Sequence, residues 1–460
     1  FDSCVNLVNI NFKNADTSHL VYMDFMFINC YKLTSLDLNS FKTNNVIDIS
    51  YIFYYCKELN NITINKWDTS KLEQVRGAFT GCTSLISLDL NNFNTPNLKE
   101  TSGMFYQAFS LKYINLDNLN TSNVVDMGSM FNGCHSLISL NLKSFDTTNV
   151  EEISGMFNEC HSLLSLDLSN FKIPKVNDLS NMFFNCHSLT SLDISNFETS
   201  NIESMSGFIQ GCSSLTSIDL KKFKTEKVKD MIAMFSGCSS LTSLDLSNFH
   251  TPNLIEIFAM FEDCQSLTYL NIENMNTSLV EDFRYMFNGC SNLTSINIDN
   301  FDTSNAIYLY SLFKDCTSLT NINLKNFKTS KVIGMNGMFS GCSSLTSIDL
   351  SNFDTSNVTE MSYMFYGCSS LQRLDLSNFN TPNLVDMEYL FGYCSSLTYI
   401  DLSNFNGSNY VKYYYAFEGI NEEGKIIFNS TIFPREILDY IPPNWECDDI
   451  GNKSLFINKL

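Results

Sequence analysis

Alanine, tryptophan and histidine are scarce in this chain: it holds seven Ala, two Trp and five His in 460 residues. Scarce alanine beside abundant Asn, Lys, Ile, Phe and Tyr matches AT-rich codons and says nothing of function. Few histidines leave little for acid–base catalysis. There is no C-x-x-C, so the usual zinc spacing is missing. No nucleophile elbow, H-E-x-x-H, phosphate-binding glycine loop or EF-hand loop occurs, and no enzyme is expected. No run of 18 apolar residues offers a membrane span. Positive charge is also short: the formal net charge is −21, which argues against binding nucleic-acid backbones or anionic lipid. The chain starts at Phe1, inside a repeat, and reads as a processed end or the edge of a fragment.

What is present is a period. Cys4, Cys30, Cys56 and Cys82 lie 26 residues apart, and Cys134 resumes the series through Cys394, broken only by Ala108. A strict period of this length marks stacked supersecondary units. Residues 30–56, CYKLTSLDLNSFKTNNVIDISYIFYYC, show the unit. Leu36 and Leu38 alternate with Ser35 and Asp37, as in a strand; Val46, Ile49, Ile52 and Phe53 recur at three and four, as in a helix.

Local punctuation fits that reading. Thr43, Thr95, Thr251 and Thr381 stand at the N-cap position, and Pro96, Pro174, Pro252 and Pro382 at the first helical residue. Residues that accept a left-handed end precede many of the cysteines, as Gly81, Gly133, Asn185 and Asp263 do. Tyr55, Gln107, Glu159 and Tyr393 break that rule. The expectation is an α/β solenoid of about sixteen 26-residue strand–turn–helix units over residues 1–417, with one parallel β-sheet face. Residues 418–460 abandon the period and read as a C-terminal cap, with a strand at Lys425–Phe428 and a helix at Arg435–Tyr440.

The frame L-x2-L-x-L at Leu33, Leu36 and Leu38 resembles leucine-rich repeats, with Phe41 where the commonest version has Asn. MFSGCSSLTSLDLSNF (residues 234–249) and FDTSNVTEMSYMFYGCSSL (residues 353–371) are closer to the BspA-like class of surface proteins, and in particular to its 26-residue mycoplasma-type repeat. The resemblance implies a leucine-rich-repeat-like right-handed superhelix. It also implies a cell-surface or secreted location and, for some members, adhesion to host matrix or other cells. A G-K-I strand followed by P-x-N-W, here at Gly424 and Trp445, is similar to the close of related arrays.

Several columns invite chemistry. The cysteine ladder, including Cys134, Cys160, Cys186, Cys212, Cys238 and Cys264, could be a disulfide or thiolate array, or buried soft packing. Ala108, without any compensating change nearby, favours packing. His135, His161 and His187 could hold a transition metal or be sibling copies of one exposed site; duplication explains them without a ligand. Asp167, Asp193, Asp219 and Asp245 repeat on the open strand face; Ca²⁺ would relieve their repulsion, as would plain solvation. The Asn before the Phe position, as in Asn170, Asn352 and Asn378, is expected to bond neighbouring backbone.

Tyr113, Tyr269, Arg373 and Tyr399 replace the usual Ser on that open face and are the expected binding residues. The C-terminal third is also rich in Tyr, including Tyr389, Tyr393 and Tyr410. Sequons at Asn61, Asn120, Asn276, Asn292, Asn357, Asn406, Asn429 and Asn452 permit glycosylation. The function expected is a surface scaffold recognising proteins or glycans of another cell or matrix. The alternatives are a self-associating unit of an extracellular fibre or coat, and an intracellular interaction module.

Overall fold

A computed structural model describes residues 1–13, 15–407, 411–433 and 435–451. The chain forms two compact units, Phe1–Lys227 and a second beginning at Val228. Each is a parallel β-solenoid, and together they make about fifteen turns. In the first unit, strands β1 (Ser35–Asp37) and β2 (Asn61–Thr63), β3 (Ser87–Asp89) and β4 (Tyr113–Asn115), and β5 (Ser165–Asp167) and β6 (Ser191–Asp193) pair in parallel, two by two. In the second, β7 (Ser243–Asp245) pairs with β8 (Tyr269–Asn271). There β9 (Arg373–Asp375), β10 (Tyr399–Leu402), β11 (Lys425–Phe428) and β12 (Glu446–Asp449) form one four-stranded sheet. The strand face is therefore a set of short ladders, not the single sheet expected.

Among the described residues the helices expected in each unit are absent, and hydrogen bonding shows why. In the stretch read as helical, alternate N–H groups leave their own coil. Ile49, Tyr51, Phe53 and Tyr55 donate to the carbonyls of Gln74, Arg76, Ala78 and Thr80, at 2.7–3.1 Å. The N–H groups between them close tight turns, Ile52 to Ile49 and Cys56 to Phe53. Tyr51 and Tyr55, third in those turns, have φ near +56°. That is the type II signature, so two consecutive type II turns occupy the place of the helix. Apolar spacing of three and four suits such a turn pair as well as a helix, because both bring those side chains to one side. Among the described residues the one helix is a 3-10 segment, Arg435–Tyr440.

The threonines and prolines change roles accordingly. Thr43, Thr147 and Thr251 are buried and cap no helix. Each Oγ1 donates to a backbone carbonyl of the next coil and accepts that residue's own N–H. The partners are Asp68 (3.0 and 2.7 Å), Lys172 (2.6 and 2.9 Å) and Asn276 (3.2 and 2.9 Å). One hydroxyl thus satisfies two backbone groups that have no ladder partner. Pro96 sits second in a turn closed by Leu98 N–H to Thr95 O, where its fixed φ is favourable.

The interior is a set of columns. Phe105, Phe131, Phe157 and Phe183 stack at 5.6–5.7 Å between ring centroids, and the ladder cysteines from Cys30 to Cys394 lie buried, with Cys4 exposed. The thiols donate to the phenylalanine carbonyl of the preceding coil, as Cys160 does to Phe131 and Cys186 to Phe157, at 3.3 and 3.1 Å. Burial pushes the Cys186 thiol up to about 12. A thiol fits because it is small, apolar and a weak donor. Ala108 keeps the volume class and gives up that weak bond. The asparagines before the Phe position reach one coil back, as Asn170 Nδ2 does to the carbonyls of Leu142 and Phe145 at 3.0 and 2.8 Å.

Candidate recognition surfaces

Alternation along strands such as β1 and β5 buries the middle residue and exposes its neighbours, and the first residue of every three-residue strand is exposed. Tyr113 and Tyr269 are accordingly 54% and 53% exposed, opposite Ser87 and Ser243 of the adjoining strands. Lys112 Nζ stands 5.3 Å from the Tyr113 ring centroid. Arg373 and Tyr399 face each other across β9 and β10, with the guanidinium 3.5 Å from the ring centroid. Arg373 also lies 4.0 Å from Asp375, and Lys425 on β11 bridges Glu446 and Asp448 of β12 at 3.3 Å each. Of the four substitutions singled out in the sequence, only Arg373 and Tyr399 are brought together.

The aspartates Asp167, Asp193, Asp219 and Asp245 are exposed. Each Oδ1 accepts the N–H two residues on, at 3.0–3.1 Å, from Ser169, Ser195, Lys221 and Ser247. The Ser169 hydroxyl and N–H hold the Asp167 carboxyl below the ordinary range. These carboxylates are turn-formers, and one oxygen of each is occupied in that work. Asn61, Asn120, Asn276, Asn292 and Asn357 are exposed, and Asn406 and Asn429 are half-buried. Asn452 and Tyr410 lie outside the described residues.

Two columns of left-handed residues run through the turn pairs. One passes through Tyr51, Gly77, Gly103 and Ser129, and in the second unit through Tyr363, Tyr389 and Tyr415. The other includes Tyr55, Gly81, Gln107, Gly133 and Glu159. The residues that seemed to break the left-handed rule do adopt it; Glu159 has φ +57°. Neighbouring coils accommodate them. A Cβ at Gly81 would lie 2.7 Å from the Tyr55 ring, so Gly81 leaves the space that ring fills. Tyr363, Tyr389 and Tyr415 stack at 5.0 and 4.9 Å. Tyr363 and Tyr366 also line a groove of about 500 Å³ with Lys314, Asp315 and Asn336. Sequence reasoning noticed the tyrosines and missed the stack, although their 26-residue spacing carried the signal.

A third set of columns lies on the bridge positions. Asp126 pairs with Glu152, and Asp230, Glu256 and Asp282 follow one another in the second unit. Partial burial raises the carboxyls of Glu152 and Glu256, with their acidic neighbours adding to the shift. On another edge the three histidines stack, His135 on His161 at 4.5 Å and His161 on His187 at 5.1 Å, with Phe109 beneath His135 at 4.6 Å. Burial and its two histidine neighbours lower His161.

Short paired strands, consecutive tight turns and side-chain ladders define a parallel β-solenoid scaffold of the leucine-rich-repeat kind. The chain belongs to the family described as "Mycoplasma protein of unknown function, DUF285", which matches residues 1–113, 74–192, 177–269, 256–348 and 309–428. The mycoplasma-type repeat expected from the sequence is therefore borne out. No curated protein matches the chain. A leucine-rich repeat protein from Bacteroides ovatus is 18% identical, over 93% of this chain and 87% of its own, with a TM-score of 0.38. A leucine rich cell surface protein from Faecalibacterium prausnitzii is 17% identical, over 80% and 82%, also at 0.38. A leucine-rich repeat protein from Eubacterium ventriosum is 13% identical, over 87% of each chain, at 0.29. Among the described residues no helix is long and apolar enough to cross a membrane.

Proposed function

We propose that this protein is a cell-surface or secreted recognition scaffold that adheres to proteins or glycans of another cell or matrix through its strand face. The observation that carries the reading is the Arg373–Tyr399 pair. The two side chains are pre-stacked on adjoining strands of the four-stranded sheet, at positions where β5, β6 and β7 carry Ser. Arg and Tyr are the residues that dominate binding hot spots, and holding them on paired backbone lowers the ordering cost of association. Tyr113 and Tyr269 extend the surface within their own sheets. Residues 418–460 serve as the cap: Trp445 is buried over Gly424 and donates through Nε1 to Asn421 O at 2.8 Å.

The test is binding of the purified chain to an immobilised panel of matrix proteins and glycans. Arg373→Ala and Tyr399→Ala should each weaken the strongest interaction at least about tenfold, the loss expected of a hot-spot residue. Undiminished binding by both variants would rule out this surface.

A further inference from the structure

Two oddities of the chain meet at one place. The histidines at 135 and 161 belong to consecutive coils, and Glu159 is a carboxylate held at φ +57° in a column where Gly133 and Asn185 stand on either side. Glycine and asparagine tolerate that conformation better than glutamate does. The Glu159 side chain turns toward the imidazoles: Oε2 is 3.4 Å from His135 Nε2. One ligand atom each from His135, Glu159 and His161 lies within 4.8 Å of the others.

We propose that His135, Glu159 and His161 form a site for a divalent transition cation of the zinc class. Two imidazoles and a carboxylate are a donor set such ions accept, with a fourth position left to water. At bond lengths of about 2.0–2.1 Å, two ligand atoms of a tetrahedral ion stand about 3.4 Å apart. The His135–Glu159 pair already has that separation. His161 has to close in, and because its ring is stacked on His135 at 13° it must turn out of the stack to aim its lone pair. The side chains of His135 and Glu159 are 34% and 43% exposed, so an ion reaches them from solvent.

The backbone beneath is fixed. Glu159 N–H donates to Phe184 O at 2.7 Å, and His135 O and His161 O accept from Ser162 and Ser188. His187 closes the row. Its Nδ1 lies 2.9 Å from Gly211 O, and since a carbonyl only accepts, that nitrogen carries the proton and Nε2 faces away from the bond. A bound ion would tie adjacent coils through their side chains, adding to the backbone, hydroxyl and thiol bonds of the stack.

The experiment is calorimetric titration of the whole chain with Zn²⁺ at neutral pH, after chelator treatment and with a non-thiol reductant. One equivalent should bind. His161→Ala and Glu159→Gln should each weaken it at least about tenfold, with metal-free thermal melts showing that the variants fold. His250→Ala should bind as the parent does. Co²⁺ then reports the ligand type: a spectrum without thiolate charge transfer supports the assignment. A thiolate band, equal affinity in all variants, or no binding overturns it.

Discussion

The interior columns and the left-handed columns obey opposite rules. Inside, a position keeps one side chain in most coils because that side chain makes the bond between coils; Ala108, Ile173 and Ile209 are exceptions. The threonine hydroxyl satisfies two backbone groups, the thiol caps a carbonyl, and the phenylalanine ring stacks on its copy. In the left-handed columns the bond repeated from coil to coil is the backbone's, through N–H groups such as that of Tyr55, and side-chain contacts such as Tyr55 Oη to Gln107 Oε1 at 3.1 Å occur only where particular residues meet. The side chain there is free to be Gly, Ser, Gln, Glu or Tyr, provided its neighbour leaves room. Variation therefore accumulates where the repeated bond belongs to the backbone and not to the side chain.

Breaking an interior column should cost most. Phe157→Ala is expected to lose about 3–5 kcal/mol, because the ring is fully buried between two others. In a stack of nearest-neighbour units the damage should stay local. Hydrogen exchange should accelerate in the coils on either side of residue 157 and much less further away; uniform acceleration would contradict the picture. Thr147→Val comes next, at about 1–3 kcal/mol, since it leaves the N–H and C=O of Lys172 without a partner.

The left-handed columns should behave as pairs. Gly81→Ala is expected to cost about 1–2 kcal/mol from its backbone conformation, φ +69°, and more from collision with the Tyr55 ring. Adding Tyr55→Ala should return the collision part and leave the conformational part. A double-mutant cycle in which the two substitutions are simply additive would refute the coupling. Cys186→Ala should cost about 1 kcal/mol, as it removes one weak donor and little volume.

Smallest is Glu152→Gln. The folded carboxyl is raised, so the stability linked to it is full below the unfolded value and falls as pH rises through the folded one. The amide should therefore raise the melting temperature slightly at neutral pH. It should change nothing near pH 3, where the acid is protonated in both states.

Much of this was legible in the chain. The strand Ser35–Asp37 followed from alternation, the burial of Leu36 and Phe53 from the apolar frame, and the backbone-bonding asparagines from their place in a turn. The left-handed glycines were also found, but attached to the wrong element. Val46, Ile49, Ile52 and Phe53 have helical spacing, yet their N–H groups choose between a turn in their own coil and a carbonyl in the next. That choice depends on the neighbouring coil and leaves no mark on the period. The same reason hid the approach of Glu159 to His135, which exists only once coils are laid side by side; the Tyr363–Tyr389–Tyr415 stack was legible in its 26-residue spacing and went unread.

The sequence by itself determined the period, the register and which side chains lie inside, because a 26-residue repeat of apolar positions has one way to bury them all. Tertiary structure decided what the turns are. A backbone N–H must bond somewhere, and with a copy of the same coil stacked alongside, the next coil's carbonyl serves alternate residues and the helix never forms.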